Sequence, residues 1–282
     1  MWDHRRVASG VLYLVGTPIG NLGDVTERAK ETLARVELVA AEDTRRARKL
    51  LSHLGIRAEL TTLFEGNERA RTETLLDALR DGSDVAVVSD AGMPGLSDPG
   101  YRLVRACAEA GIDVRVVPGP SAAIAALVVS GLPSDRFVFE GFLPKKQGER
   151  RARLEALASE RRTIVMFESP RRVADALRAI AEAFGPERPV ALARELTKLH
   201  EEVLRGTVEE VLARLGIDEL RGEVVLVVGG VAEGPAPELS SLLAEAEELV
   251  RAGSKKRRAA VEVAKRHDVS ANAIYRAMLE RP

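Results

Sequence analysis

Val85-Ala86-Val87-Val88-Ser89-Asp90-Ala91-Gly92-Met93-Pro94-Gly95-Leu96-Ser97-Asp98-Pro99-Gly100, residues 85–100, joins an apolar run to a twelve-residue turn with three glycines and two prolines. The run is short, uncharged, rich in β-branched residues and followed by turn residues, as in a strand buried on both faces. A helical stretch, 101–110, comes next. Strand, loop and helix in that order form the unit of a parallel α/β layer. Twelve residues exceed what such a connection needs, so the loop is predicted to carry function.

The same rhythm continues on both sides. Strands are predicted at 11–15, 38–41, 60–63 and 114–117, with helices at 26–35, 44–54 and 68–80 between them. Leu75, Leu76 and Leu79 fall at helical spacing, and Gly55, Gly82 and Gly111 mark helix ends. Near Leu132-Pro133-Ser134 the alternation breaks. An aromatic strand at 137–142 then opens a second run, with strands at 163–167, 190–194, 202–205 and 224–228 and helices at 149–158 and 173–184. Adjacent strands without a helix between them call for a mixed sheet. Gly229 to Pro237 combines glycine freedom with proline stiffness and reads as a linker. Helix-forming sequence follows, broken at His267-Asp268-Val269-Ser270, where Ser270 can cap a last helix; a helix-turn-helix or a plain helical hairpin fits. The expected organisation is two α/β domains, 1–131 and 132–230, a linker at 231–238 and a basic helical domain at 239–282.

At 282 residues, 45% hydrophobic and 30% charged, the chain is globular rather than disordered or fibrous. The single cysteine, Cys107, excludes a disulfide framework and a cysteine-based metal site, and the four histidines show no ligand spacing, so no metal is expected. The first nine residues lack the apolar core of a signal peptide, and the longest apolar run, 122–129, is too short to span a bilayer. A soluble cytoplasmic protein is expected. Net charge is −1 but unevenly placed: residues 239–282 carry nine Lys/Arg against six Asp/Glu, and residues 145–162 carry seven against three. Such stretches are either solvated faces or contacts for nucleic acid.

Two further turns accompany residues 89–100. Gly16-Thr17-Pro18-Ile19-Gly20-Asn21-Leu22-Gly23-Asp24 follows the first strand, and Pro118-Gly119-Pro120-Ser121-Ala122 links the fifth strand to a helix. Open α/β sheets bind small molecules at these strand ends, and glycine lets backbone approach a ligand. Ser121 is positioned to cap the helix, whose free amides could receive a carboxylate or ribose oxygen. Neither the dinucleotide fingerprint nor a Gly-Lys-Ser/Thr phosphate loop is present, so nicotinamide and ATP readings lose their usual support.

With Ala41-Glu42-Asp43-Thr44-Arg45, Gly141-Phe142-Leu143-Pro144, Phe167-Glu168-Ser169-Pro170-Arg171, Arg194-Glu195-Leu196-Thr197-Lys198 and Gly222-Glu223, these turns resemble, in one order from Leu12 to about Gly230, the tetrapyrrole methylase superfamily. Within it, the likeness is closer to the branch that methylates a ribose 2′-hydroxyl of small-subunit ribosomal RNA. The resemblance implies two α/β domains with an S-adenosylmethionine cleft between them, a homodimer, and a cytidine in the decoding region as target. It places Ile19, Asp90, Gly92, Met93, Pro94, Leu96, Ser121 and Ala122 at the cofactor from the first domain, and Met166, Ala193 and Gly222 from the second. Where the wider superfamily has Gly-Asp-Pro, this chain has Gly92-Met93-Pro94; Asp90 is the candidate to replace the missing carboxylate.

Methyl transfer to a hydroxyl is an in-line displacement that needs alignment and a proton acceptor. Candidates in the family-like segments are Asp43, Glu168, Lys198 and Glu201. Three of them have an alternative: Asp43 can cap a helix, Glu168 can pair with Arg171 or Arg172, and Lys198 can contact phosphate. Arg45, Arg46, Arg48 and Lys49, with Lys145, Lys146, Arg150 and Arg151, could grip an RNA backbone, and Lys255, Lys256, Arg257 and Arg258 extend that set into the tail. Two rival readings are a small-molecule methylase acting on a tetrapyrrole and a non-enzymatic nucleotide-sensing regulator that binds DNA.

Overall fold

Short valine- and leucine-rich runs, each released into a capped helix, build the first sheet. The computed structural model describes residues 9–215, 222–231, 238–267 and 269–280. Strands β1 (Leu12–Val15), β2 (Leu38–Ala41), β3 (Glu59–Thr62), β4 (Val85–Val88) and β5 (Val114–Val117) lie in the order β3-β2-β4-β1-β5. All neighbours are parallel. β4 is buried at every residue, so its sequence is apolar throughout rather than alternating. Helices α1 (Glu27–Arg35), α2 (Thr44–His53), α3 (Glu68–Arg80) and α4 (Tyr101–Ala110) cover the two faces. Tyr13, Val15, Leu33, Val39 and Leu51 pack in one core, and Leu12, Leu75, Leu79, Val87 and Leu103 in another. The Thr26 hydroxyl accepts the Ala29 N–H and so starts α1 one residue later than the spacing predicts.

The second sheet is mixed. Strands β6 (Phe137–Phe142), β7 (Thr163–Glu168), β8 (Pro189–Arg194), β9 (Glu202–Thr207) and β10 (Val224–Val228) run in the order β6-β7-β10-β8-β9. Only β6 and β7 are parallel; β10 is antiparallel to β7 and β8, and β8 to β9. Side chains alternate between faces, as strand geometry requires. Ile164, Met166, Leu192 and Leu226 pack with α6 (Gln147–Leu157), α7 (Val173–Phe184) and α8 (Val208–Arg214). Val165, Ala191, Ala193, Val225 and Val227 meet Ala123, Ala126 and Leu127 of α5 (Ala122–Ser130). Helix α5 thus leaves the first sheet and is covered by the second, which accounts for its nearly unbroken apolar sequence. α8 is absent from the reading by periodicity. Its signature is a capping box: the Thr207 hydroxyl accepts the Glu210 N–H while the Glu210 carboxylate accepts the Thr207 N–H.

The first compact unit ends at Val231, and Ala232–Pro282 forms another. Within the latter, α9 (Leu239–Arg251), α10 (Lys256–His267) and α11 (Ala271–Glu280) enclose a small core of Leu242, Leu243, Ala246, Ala260, Val263, Ile274 and Met278. The α10–α11 pair, expected as a helix-turn-helix or a hairpin, is completed by α9. Glu245 on α9 accepts from Arg266 (2.7 Å) and lies 2.6 Å from His267 Nε2 on α10. Most of the expected linker, 232–237, and Asp268 at the expected break lie outside the described residues. No described helix is long and apolar enough to cross a membrane.

Candidate active site

Three turns at the carboxyl ends of β1, β4 and β5 touch backbone to backbone. Thr17 and Gly92 exchange N–H···O bonds of 2.9 and 3.1 Å, and the Gly16 N–H donates to Val117 O at 2.9 Å. A Cβ on Gly16 would lie 2.6 Å from Gly119 N and 2.7 Å from Met93 Sδ, so only glycine permits this approach. Gly92 adopts φ +83°. The turns form one wall of a cleft of about 450 Å³ whose opposite wall is built from β6, β7 and the segment leading into β10. Ile19, Asp90, Gly92, Met93, Leu96, Ser121 and Ala122 line the first wall, and Phe142, Phe167, Glu168, Gly222, Glu223 and Val225 the second. That volume lies within the ~300–1,000 Å³ usual for small-ligand sites.

Seven of the eight expected cofactor residues of the first domain, all but Pro94, meet in this cleft; Pro94 is buried outside the lining. Of the three expected from the second, only Gly222 lines it. Met166 alternates to the far side of the sheet, fully buried among α6 and α7, and Phe167 takes the cleft-facing place. Ala193 packs under α5. Ser121 occupies the cap position of α5, but its hydroxyl makes no cap bond and its buried Oγ has no partner. The capping expectation therefore fails for the side chain, and a residue of the cleft lining is left with a buried, unpartnered hydroxyl.

The acid–base candidates separate clearly. Asp43 is the side-chain cap of α2, accepting the Arg45 N–H at 2.8 Å and pairing with its guanidinium at 2.7 Å. Arg45 holds that carboxyl far below the usual range, and Asp43 stands outside the cleft lining, so the cap reading replaces the base reading. Lys198 Nζ lies 2.8 Å from Glu195 and 3.3 Å from Glu223. Partial burial would lower its pKa, but the two carboxylates outweigh that and raise it, so it stays charged. Its stem lies against Gly20, where a Cβ would come within 2.5 Å of Lys198 Cγ. Glu201 accepts the Thr197 N–H at 2.6 Å and fastens a loop in which Glu195 and Thr197 hold φ of 50° and 67°. Neither Lys198 nor Glu201 lines the cleft. Glu168 does: its Oε1 accepts the Ser169 N–H at 2.7 Å and pairs with Arg172, not Arg171, while its buried Oε2 has no partner.

On the first wall, two carboxylates not among the candidates named from the sequence also line the cleft, Glu42 and Asp98. Burial and the nearby Asp90 charge raise the Glu42 pKa. Burial, with Glu42 next in effect, pushes Asp98 up to about 6. Asp90 accepts the Asp43 N–H at 3.1 Å and pairs with Arg46 at 3.4 Å. Both overlooked residues lie inside segments 41–45 and 89–100, so location marked them, but only tertiary burial distinguishes Glu42 from its neighbour Asp43.

Around this cleft the expected basic residues are mostly exposed. Arg45, Arg46, Arg48 and Lys49 project from α2, and Lys145, Lys146 and Arg151 stand at the start of α6; Arg150 is half-buried. Lys146 and Arg151 are paired with Glu149 and Glu155. In the separate helical unit, Lys255, Arg257 and Arg258 are exposed, whereas Lys256 donates to Met278 O at 3.1 Å.

The sequence family of tetrapyrrole (corrin/porphyrin) methylases matches residues 11–212, a stretch that holds the first sheet and four of the five strands of the second, all but β10. The chain belongs to the tetrapyrrole methylase family. It is 50% identical over 277 residues, 97% of this chain and 96% of the relative, to a protein of Mycobacterium tuberculosis named ribosomal RNA small subunit methyltransferase I. It is 48% identical to the protein of that name from Escherichia coli O157:H7, again over 97% and 96% of the two chains. Among solved structures it is similar to uroporphyrin-III-C-methyltransferase from Thermus thermophilus, with 28% identity, 78% and 94% coverage and a TM-score of 0.57. Tetrapyrrole methylases use S-adenosylmethionine, which supplies an electrophilic methyl on a sulfonium. This methylase's cleft suits that group: close-approaching glycines, an unpartnered Ser121 Oγ, apolar Ile19, Leu96 and Val225, and carboxylates complementary to positive charge.

Proposed function

We propose that the chain transfers a methyl from S-adenosylmethionine to the ribose 2′-hydroxyl of a cytidine in the decoding region of small-subunit ribosomal RNA. The observation that carries this reading is near-half identity, over almost the whole length, to proteins named for small-subunit ribosomal RNA methylation. Gly92, Met93, Leu96, Ser121 and Ala122 hold the methyl donor from one wall, and Gly222 and Val225 from the other. Holding donor and hydroxyl in line supplies most of the acceleration, worth roughly 7–11 kcal/mol in favourable cases. Exposed arginines and lysines of α2 and α6 receive the RNA backbone, and Arg46, which also lines the cleft, connects that surface to the reacting centre. The enzyme acts in the cytoplasm as a homodimer.

Incubation with methyl-labelled donor and small subunits lacking their native modifications tests this. Label in the ribosomal RNA is expected; label on a tetrapyrrole acceptor instead would replace the RNA reading with that of the wider family.

A further inference from the structure

Building on the methyl-transfer reading, we propose that Asp98, with Glu42 beside it, accepts the proton of the substrate hydroxyl. The candidates read from sequence are each engaged elsewhere: Asp43 caps α2, Lys198 is paired twice, Glu201 fastens its own loop, and Glu168 is bound to Arg172. Glu42 and Asp98 reach the cleft from different elements, the end of β2 and the loop after β4. Among the described residues neither is in an ion pair. Glu42 lies beside the Asp90 backbone and Asp98 beside Ser89, whose hydroxyl is directed to Ala91 O and Gly92 O. Arg46, the cation facing them, forms its ion pair with Asp90. Across the cleft, the negative charges of Glu168 and Glu223 are matched by Arg172 and Lys198.

Three carboxylates in a confined site hold a proton more readily than one alone, and burial acts in the same direction. With Asp98 pushed up to about 6, it is unprotonated in neutral buffer yet basic enough to receive a proton. An independent feature points to a polar substrate here: Glu168 Oε2, buried and unpartnered, belongs to a side chain that lines the same cleft. In the step itself, the hydroxyl oxygen forms its bond to the methyl carbon while its proton passes to a carboxylate oxygen of Asp98. The carbon–sulfur bond breaks, its electron pair stays on sulfur, and the sulfonium charge is lost.

The test uses the full chain with Asp98→Asn and Glu42→Gln. Donor affinity is followed by calorimetry, single-turnover methylation of small subunits over pH 5–9, and aspartate side-chain titration by carbon-13 NMR without donor. In the wild type, the rate should fall on the acid side with a midpoint near the Asp98 value of about 6, and NMR should show an aspartate titrating there. Asp98→Asn should lose that signal and about 10²–10⁴ in rate, with donor affinity lowered far less than the rate and the acid limb gone. Glu42→Gln should move both the limb and the NMR midpoint to lower pH. Near wild-type turnover in Asp98→Asn, or an unshifted limb in Glu42→Gln, would overturn the assignment, even if Asp98→Asn proved unfoldable. Absence of label with the wild type would instead bring down the methyl-transfer reading and the assignment with it.

Discussion

Replacing Arg172 by methionine probes how the cleft floor is held. The Glu168 side chain is fully buried and Arg172 about three-quarters buried, so the pair lies in a region of weak solvent screening. Methionine keeps most of the stem's packing but leaves the carboxylate with only the Ser169 N–H. Removing one partner of a buried pair typically costs about 3–5 kcal/mol. Partial exposure of Arg172 and its long bonds to Leu143 O, at 3.4–3.5 Å, favour the lower end. A loss of ~3 kcal/mol in a unit of this size corresponds to a fall of roughly 6–12 °C in thermal midpoint. Calorimetric scans of Arg172→Met, Glu168→Met and the double variant would measure it. The double variant should recover much of the loss, because two apolar side chains can replace a buried pair of similar volume. A cost under about 1 kcal/mol for Arg172→Met, the size of a surface pair, would refute the claim that the cleft floor is electrostatically isolated from water.

Gly222 holds φ +95°, and a Cβ there would lie 2.2 Å from Glu195 Oε1 and 2.5 Å from its Cγ, so Gly222→Ala should weaken donor binding more than tenfold by calorimetry without unfolding the protein. Asp98 is held above its ordinary 3.8, so the folded state binds more protons than the unfolded chain between about pH 4 and 6, and stability falls as pH rises through that window. Asp98→Asn should therefore be more stable by about 1 kcal/mol at pH 7.5, discounted for partial exposure, with the gain gone below about pH 4 in urea titrations. Thr207→Ala removes the capping box of α8 and should cost ~1 kcal/mol in the same assay. Alanine at Lys255, Arg257 and Arg258, leaving Lys256 to hold Met278 O, should weaken RNA binding and reduce the slope against log salt by ~2; an unchanged slope removes the tail from the binding surface.

Strands buried on both faces were the most legible parts of the sequence: β2, β4 and β10 have the bounds that their apolar runs predict, and so does the more exposed β5. Their neighbours drifted by a residue or two where a cap or a ladder bond, rather than hydrophobicity, sets the end, as at Thr26 and at Thr207. The cleft was legible from its glycine-rich turns because close backbone contact needs glycine at Gly16, whatever the ligand. Side-chain direction was less so. Met166 and Phe167 differ by one position, and the strand period sends one to the outer core and the other to the cleft. Glu42 and Asp43 pose the same problem at a helix start: both are acidic and adjacent, but one caps and pairs while the other turns into the site. Residue type and place in the family-like segments point to Asp43, Lys198 and Glu201; their partners, which tie them down, are 2 to 25 positions away and become visible only in three dimensions.

The most direct measurement of the central claim is nuclease digestion and nucleoside mass spectrometry of small-subunit RNA after incubation with the protein and methyl-labelled S-adenosylmethionine. A single labelled nucleoside, cytidine methylated on the ribose and resistant to alkali at one linkage, is the predicted result. Label on a base, at scattered sites, or absent from RNA while donor binding is intact would contradict it.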